Sequence, residues 1–201
     1  MTMVVNLRTL VVIGVFGALW GALELSLGSA LHALNLPFSG VFLAAAGIAV
    51  ALIGHRFVPQ RGAVLQIGLV AALMKAASIG GIVLMPMIGI LFEALIVQGV
   101  MAVTRGQSRG SYVLAGALGC LWPLVHPFFA HGLLAGRGIL TVWGWVVEDG
   151  AAFLHLSPRA AVLIIAVLGL IHAAVGALAG AVAWNTAERV AHRGGVRHAS
   201  A

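Results

Sequence analysis

Long, uninterrupted apolar runs constrain this chain more than any other feature of its sequence. They are about 17 to 27 residues long, and a helix needs roughly 20 residues to cross the hydrocarbon core of a bilayer. Hydrophobic residues make up 62% of the 201 residues and charged residues only 8%, whereas soluble domains average about 25% charged residues. The chain is therefore expected to be an integral membrane protein, with the lipid bilayer as its surroundings.

The apolar runs show no period of two, as the strands of a barrel would, and Gly and Ala are scattered through them. The expected fold is therefore all-α: a six-transmembrane-helix bundle whose helices approach closely at small residues. The predicted spans are Thr9–Ala33, Phe38–Gly54, Ala63–Gly80, Ile82–Val103, Tyr112–Leu134 and Ala160–Thr186. They form a single domain over residues 1–187, followed by a basic tail over residues 188–201.

Positive residues are unevenly distributed between the two sides of the predicted bundle. Only Lys75, Arg137 and Arg159 fall on or toward one side. The other side carries Arg8, Arg56, Arg61, Arg105, Arg109, Arg189, Arg193 and Arg197. Because cytoplasmic loops carry the excess of Lys and Arg, both termini are expected in the cytoplasm, and the protein in a cell (plasma or inner) membrane. This bias accounts for the net charge of +6, so no nucleic-acid partner is expected.

The only long connection, residues 135–159, is expected on the external side. It carries Trp143, Trp145, Glu148 and Asp149, and a seventh span here would place both carboxylates near the middle of the bilayer. Two interpretations stay open for it. It is either an interfacial segment with its Trp side chains at headgroup level, or a lid over a pocket.

The ionisable residues inside the predicted spans fall at similar depths. They are Glu24, Lys75, Glu93, His126 and His172, each in a different span. Charge in hydrocarbon is costly and marks functional sites. A purely structural interpretation is also open, in which Glu24 and Lys75 neutralise each other and the histidines bond backbone carbonyls. The convergence of all five favours a ligand site in the outer half of the bundle.

Aromatic residues extend this candidate binding site. Trp20, Trp143 or Trp145 would stack on a planar ligand, and His131 continues the polar character of the fifth span toward the outer surface. No catalytic residue, cofactor or metal site is assigned. Lys75 is the only lysine, so a phosphate loop ending in Gly-Lys-Ser/Thr is absent from the sequence, as is His-Glu-x-x-His.

Two faces of the first span differ in character. On a helical wheel, Ala18 and Ala22 lie opposite Trp20 and Glu24. Small residues spaced by four let another helix approach closely. The first span is therefore expected to present Ala18 and Ala22 as a partner-docking face and the opposite face to the ligand.

Several short motifs support a family resemblance. They are Ala18-Leu19-Trp20-Gly21-Ala22 in the first span, Asn35-Leu36-Pro37-Phe38 after it, and Met85-Pro86-Met87 in the fourth span. Together with the length of the chain, the six predicted spans and the long connection before the last span, they resemble the substrate-binding S component of an energy-coupling factor (ECF) transporter.

The resemblance implies capture of a vitamin, a vitamin precursor or a transition-metal ion beneath the external loops, without an ATPase of its own. It also implies that Ala18 and Ala22 dock on a transmembrane coupling (T) subunit driven by two cytoplasmic ATPases. Metal-type members usually begin with Met-x-His, whereas this chain begins Met1-Thr2-Met3. An organic micronutrient is therefore the expected substrate, rather than nickel or cobalt.

Two other classes of function stay open from the sequence. One is a small intramembrane enzyme that uses His126, His172 and Glu93 as acid, base or metal ligands. The other is a structural subunit of a larger membrane complex.

Overall fold

The computed structural model describes residues 6–34, 38–77 and 84–193, and every regular element in these ranges is helical. The elements are α1 (Leu7–Ala33), α2 (Ser39–Phe57), α3 (Ala63–Ala76), α4 (Leu84–Val103), α5 (Arg109–Gly119), α6 (Trp122–Pro127), a π-helical segment (Phe128–Leu134), α7 (Ile139–Leu154), a 3-10 turn (Pro158–Ala160) and α8 (Ala161–Arg193). The first five residues, the turn at 35–37, the join at 78–83 between the third and fourth predicted spans, and the tail from residue 194 lie outside this description.

Within these ranges, five stretches are long and apolar enough to cross a membrane: Leu7–Gly28, Ser39–Phe57, Leu84–Val103, Arg109–Leu134 and Pro158–Arg193. The expected all-α fold with helices long enough to cross a membrane is confirmed, whereas the number of crossings is not. Helix α3 is also apolar but has 14 residues, which is about 21 Å at 1.5 Å per residue. That length is less than the roughly 30 Å of hydrocarbon. A sixth crossing therefore stays a prediction.

Helices α5 and α8 pack backbone against backbone. Gly116 of α5 lies against Gly176 and Gly180, which are one turn apart on α8. A Cβ added at Gly116 would come within 3.0 Å of the Gly180 nitrogen. The small residues scattered through the spans thus permit the close approach on which helix pairs in lipid depend.

Trp20 of α1 occupies the centre of the bundle. It is fully buried, and its indole lies directly over Gly47 of α2, where a Cβ would overlap the ring. The far edge of the ring lies 3.4 Å from the position that a Cβ would take at Gly68 of α3. Trp20 therefore packs against both α2 and α3, at positions where glycine has no side chain to exclude the indole ring.

The fifth predicted span, Tyr112–Leu134, is broken rather than continuous. Helix α5 ends at Gly119, α6 covers Trp122–Pro127, and the chain then continues as the π-helical segment. Pro123 and Pro127 account for the irregularity, since proline lacks the backbone donor and clashes with the preceding turn. Cys120, the only cysteine in the sequence, is fully buried at the first break.

The long external connection of the sequence prediction contains helix α7. Its buried side, with Val147 and Ala151, packs against Ile164 and Leu168 of α8. Trp143 and Trp145 lie on its more exposed side. The segment is thus an amphipathic helix seated on the bundle, which is compatible with either interpretation, interfacial segment or lid.

At the opposite end of the bundle, α8 is tied to α2 by charge. The Nε of Arg56 donates to a carboxylate oxygen of Glu188 at 3.0 Å, and the guanidinium lies 5.3 Å from the ring centroid of Trp184. Because α8 continues to Arg193, the part of the predicted tail that the structure describes is helical.

Candidate ligand-binding site

A cavity of about 170 Å³ lies between α1, α2, α4 and α6 and opens to the surface of the bundle. Four side chains with polar groups line it: Glu24, Glu93, Trp122 and His126. The remaining wall is apolar and includes Leu43, Pro86 and Ile90. Three of the five ionisable residues expected at one depth, Glu24, Glu93 and His126, thus line a single cavity.

The two carboxylates of this cavity are buried. Glu24 is 4% exposed and Glu93 is 7% exposed. Within the described part of the chain, neither carboxylate is in an ion pair, and Oε2 of Glu93 has no hydrogen-bond partner. A buried polar atom without a partner is costly and rare in folded proteins. The Glu93 carboxylate is therefore an acceptor available to a ligand.

Trp122 and His126 lie one turn apart on α6 and face the same cavity. Trp122 stacks on Phe92, with ring centroids 4.4 Å apart and planes at 9°. Its Nε1 is buried and has no partner in the ranges described. Nε2 of His126 lies 3.2 Å from the backbone oxygen of Met85. The cavity is thus lined by a residue with an unpaired indole donor and by another with an unpaired carboxylate oxygen.

Two glycines keep this cavity open. A Cβ added at Gly89 would lie 3.8 Å from the imidazole of His126 and 3.9 Å from Nε1 of Trp122. A Cβ at Gly40 would lie 3.6 Å from Pro123. Larger side chains at either position would project into the space that a ligand would use.

A second cavity, of about 250 Å³, adjoins the first, and the two share Gly40 and Pro123 in their walls. Ser39 and Asp149 are the polar side chains that line it. Because Val146 and Asp149 belong to α7, this helix forms one wall of the second cavity.

Lys75, Trp20 and His172 line neither cavity. Nζ of Lys75 donates to the backbone oxygen of Glu24 at 3.2 Å, rather than to its carboxylate. Trp20 lies in the core described above. Nδ1 of His172 lies 2.8 Å from the backbone oxygen of Leu168, and its ring contacts Phe38, which lines the second cavity.

The three outermost predicted residues, His131, Trp143 and Trp145, gather around the π-helical segment and α7. The rings of His131 and Trp145 are 6.0 Å apart, and those of Trp143 and Phe128 are 6.4 Å apart. The guanidinium of Arg137 lies 5.3 Å from the ring centroid of Trp145. The three residues line neither cavity, so their part in binding stays a prediction.

The opposite face of α1 is open. Ala22 is exposed and Ala18 is half-buried, whereas Trp20 and Glu24 are buried. Nothing lies within 4 Å of a Cβ placed at Gly14 on the same helix. This face is thus more exposed than the face that carries Trp20 and Glu24, and its part in docking stays a prediction.

Trp122 and Gly89 are the parts of this site that sequence reasoning missed. Trp122 precedes His126 by one helical turn, which would have placed both on one face.

Over residues 6–34, 38–77 and 84–193, no group of three His, Cys, Asp or Glu side chains is arranged to hold a metal ion. The fold and the cavity define an α-helical membrane protein with a buried polar site. No protein-family model, curated protein or solved structure matches the chain.

Proposed function

We propose that this protein is the substrate-capture S component of an ECF-type importer in the cell membrane. In this proposal the bundle crosses the membrane six times with both termini in the cytoplasm, as the arginine distribution favours. It passes a small organic micronutrient to a T subunit driven by two ATPases. The observation that carries the proposal is the cavity in which Glu24, Glu93, Trp122 and His126 meet inside an otherwise apolar bundle.

The chemistry of the cavity narrows the class of ligand. Two carboxylates attract a cation or the N–H groups of an amine, and the Trp122 donor suits a ring nitrogen or a carbonyl oxygen. Its volume of about 170 Å³ is close to that of a cavity of about 150 Å³ that binds benzene. The first cavity therefore fits one nitrogen-bearing ring, of the size found in a vitamin precursor.

The same geometry supports capture rather than catalysis. The enzyme hypothesis needs His126, His172 and Glu93 to act together, but His172 lines neither cavity and is bonded to Leu168. His126 is itself held by the Met85 carbonyl. The first cavity instead shares part of its wall with a second cavity that α7 borders, which suits a ligand that enters and leaves unchanged.

Filling the cavity is expected to abolish binding. We expect at least one compound from a panel of vitamins and vitamin precursors to raise the melting temperature of the wild-type protein, because a ligand that binds only the folded state stabilises it. Replacement of Gly89 by Leu should remove this shift, since the new side chain points toward Trp122 and His126. Differential scanning fluorimetry in detergent provides the measurement, with nickel and cobalt included in the panel.

Gly99→Leu is the matched control, because it lies on the same helix and nothing lies within 4 Å of its Cβ position. It should keep the full ligand-induced shift. An equal shift in both variants would place the ligand elsewhere, and a ligand that emerged chemically altered would indicate an enzyme.

Docking is expected to depend on the open face of α1. Replacement of both Ala18 and Ala22 by Leu should reduce recovery of a co-expressed T subunit by about tenfold or more, because bulky side chains prevent close helix approach. Ligand binding should be unchanged, since this face is remote from Glu24. The control is Ala166→Leu with Ala174→Leu, two exposed positions of α8. Unchanged recovery with the α1 variant would argue against the docking face, and with it against the ECF assignment.

A further inference from the structure

A third cavity, of about 290 Å³, lies at the arginine-rich end of the bundle, remote from the candidate ligand-binding site. It opens between the end of α2, the turn before α3 and the end of α4. Its polar wall consists of His55, Gln60, Arg61, Gln98, Arg105 and Gln107. No Asp or Glu is among the residues that line it.

The two arginines of this cavity have no counter-ion. Among the described residues, the ion pairs formed are those of Glu188 with Arg56 and His192, and neither Arg61 nor Arg105 is in an ion pair. Both residues are exposed, so an anion from the solvent or from lipid headgroups can reach their N–H groups. This arrangement favours a negatively charged occupant.

A buried histidine adds a second, independent indication. His55 is 7% exposed, it lines the cavity, and its Nδ1 has no hydrogen-bond partner in the described ranges. Gln98 is fixed by its Oε1, which accepts from the backbone nitrogen of Val64 at 3.1 Å. Its NH₂ group is left to donate elsewhere. Gln98 therefore offers hydrogen-bond donors to an anion in this cavity, and Nδ1 of His55 offers one in the tautomer that carries its proton there.

We propose that this cavity binds a phosphate group. The phosphate group belongs either to the headgroup of an anionic lipid or to a soluble compound on the side of the membrane at which the arginine-rich end lies. Guanidinium groups match the oxygens of phosphate with paired hydrogen bonds, and basic pockets between membrane helices bind phosphate-bearing lipid heads. The proposal is independent of the transport function, because no residue of this third cavity lines the first or the second cavity.

The test uses the full-length protein in nanodiscs of phosphatidylcholine. One arm adds inorganic pyrophosphate to the buffer, and the other replaces part of the lipid with phosphatidylglycerol. The melting temperature and the number of phosphatidylglycerol molecules retained in native mass spectrometry are measured. We expect the double variant Arg61→Gln with Arg105→Gln to lower the affinity for the probe that binds by about tenfold or more. The control is Arg109→Gln with Arg189→Gln, which removes the same charge at the same end of the bundle but outside the cavity. This variant should keep the wild-type affinity for the probe.

Stabilisation by phosphatidylglycerol alone would identify the occupant as a lipid head, and stabilisation by pyrophosphate alone would identify it as a soluble phosphate compound. Stabilisation of the wild type by neither probe would overturn the proposal. Equal losses in the two double variants would also overturn it, because they would show a general effect of surface charge.

Discussion

Replacing Glu93 by Gln is expected to raise the melting temperature of the unliganded protein and, at the same time, to remove most of the ligand-induced shift. The carboxylate is buried with an unpaired oxygen, so a neutral amide of similar shape should relieve an unfavourable desolvation. A ligand that bonds to this carboxyl group would lose about 1.5 kcal/mol, which is roughly a tenfold loss of affinity. Adding Glu24→Gln should increase both effects.

A substitution that raises the melting temperature but weakens ligand binding indicates that the residue serves binding rather than stability. Glu148→Gln serves as the control, since Glu148 is exposed on α7 and lines neither cavity. It should leave both the melting temperature and the shift unchanged. If the Glu93 variant bound the ligand found in the screen with wild-type affinity, the polar cavity would be structural and the site would have to lie nearer α7.

The largest loss of stability is expected from Gly180→Leu. A Cβ at this position would lie 3.0 Å from the Cα of Val113 and closer still to the backbone of Tyr112. Backbone atoms of α5 cannot rotate away as a side chain can, so α5 and α8 would have to separate. We expect a loss of about 3 kcal/mol or more in the free energy of unfolding, at the upper end for overpacked sites. Thermal unfolding followed by circular dichroism provides the measurement.

Gly169→Leu is matched to this variant, because it lies on the same helix with nothing within 4 Å of its Cβ position. It should be neutral or slightly stabilising, since Leu is a better helix former than Gly. Equal stability of the two Leu variants would show that the α5–α8 contact does not hold the bundle together.

Much of the fold could be predicted from the sequence because each apolar run must satisfy its own backbone hydrogen bonds in lipid. The run predicted over Thr9–Ala33 appears as Leu7–Ala33, and the run predicted over Ile82–Val103 appears as Leu84–Val103. Helix α7 was harder to predict. It packs on Ile164 and Leu168 of a later helix, and the local sequence does not show which part of the chain its apolar side contacts.

The candidate site could be predicted only in part, because sequence gives depth along a helix but not rotation toward a neighbour. Counting residues placed Glu24, Glu93 and His126 at similar levels, and they line one cavity. Trp20 shares the buried face of α1 with Glu24, but the notch at Gly47 takes up its indole. Trp122 reaches the cavity because Phe92 stacks on its ring, a contact between two helices that no single-helix pattern contains.

The burial of Cys120 has a practical consequence for experiments on this molecule. It is the only thiol in the sequence, and no part of it is accessible in the folded bundle. A cysteine introduced at an exposed position, such as Gly110 or Gly138 at opposite ends of the bundle, would therefore be the one sulfhydryl that an impermeant reagent can modify without unfolding. Side-specific labelling can thus be carried out on the otherwise native sequence, with no need for a cysteine-free background.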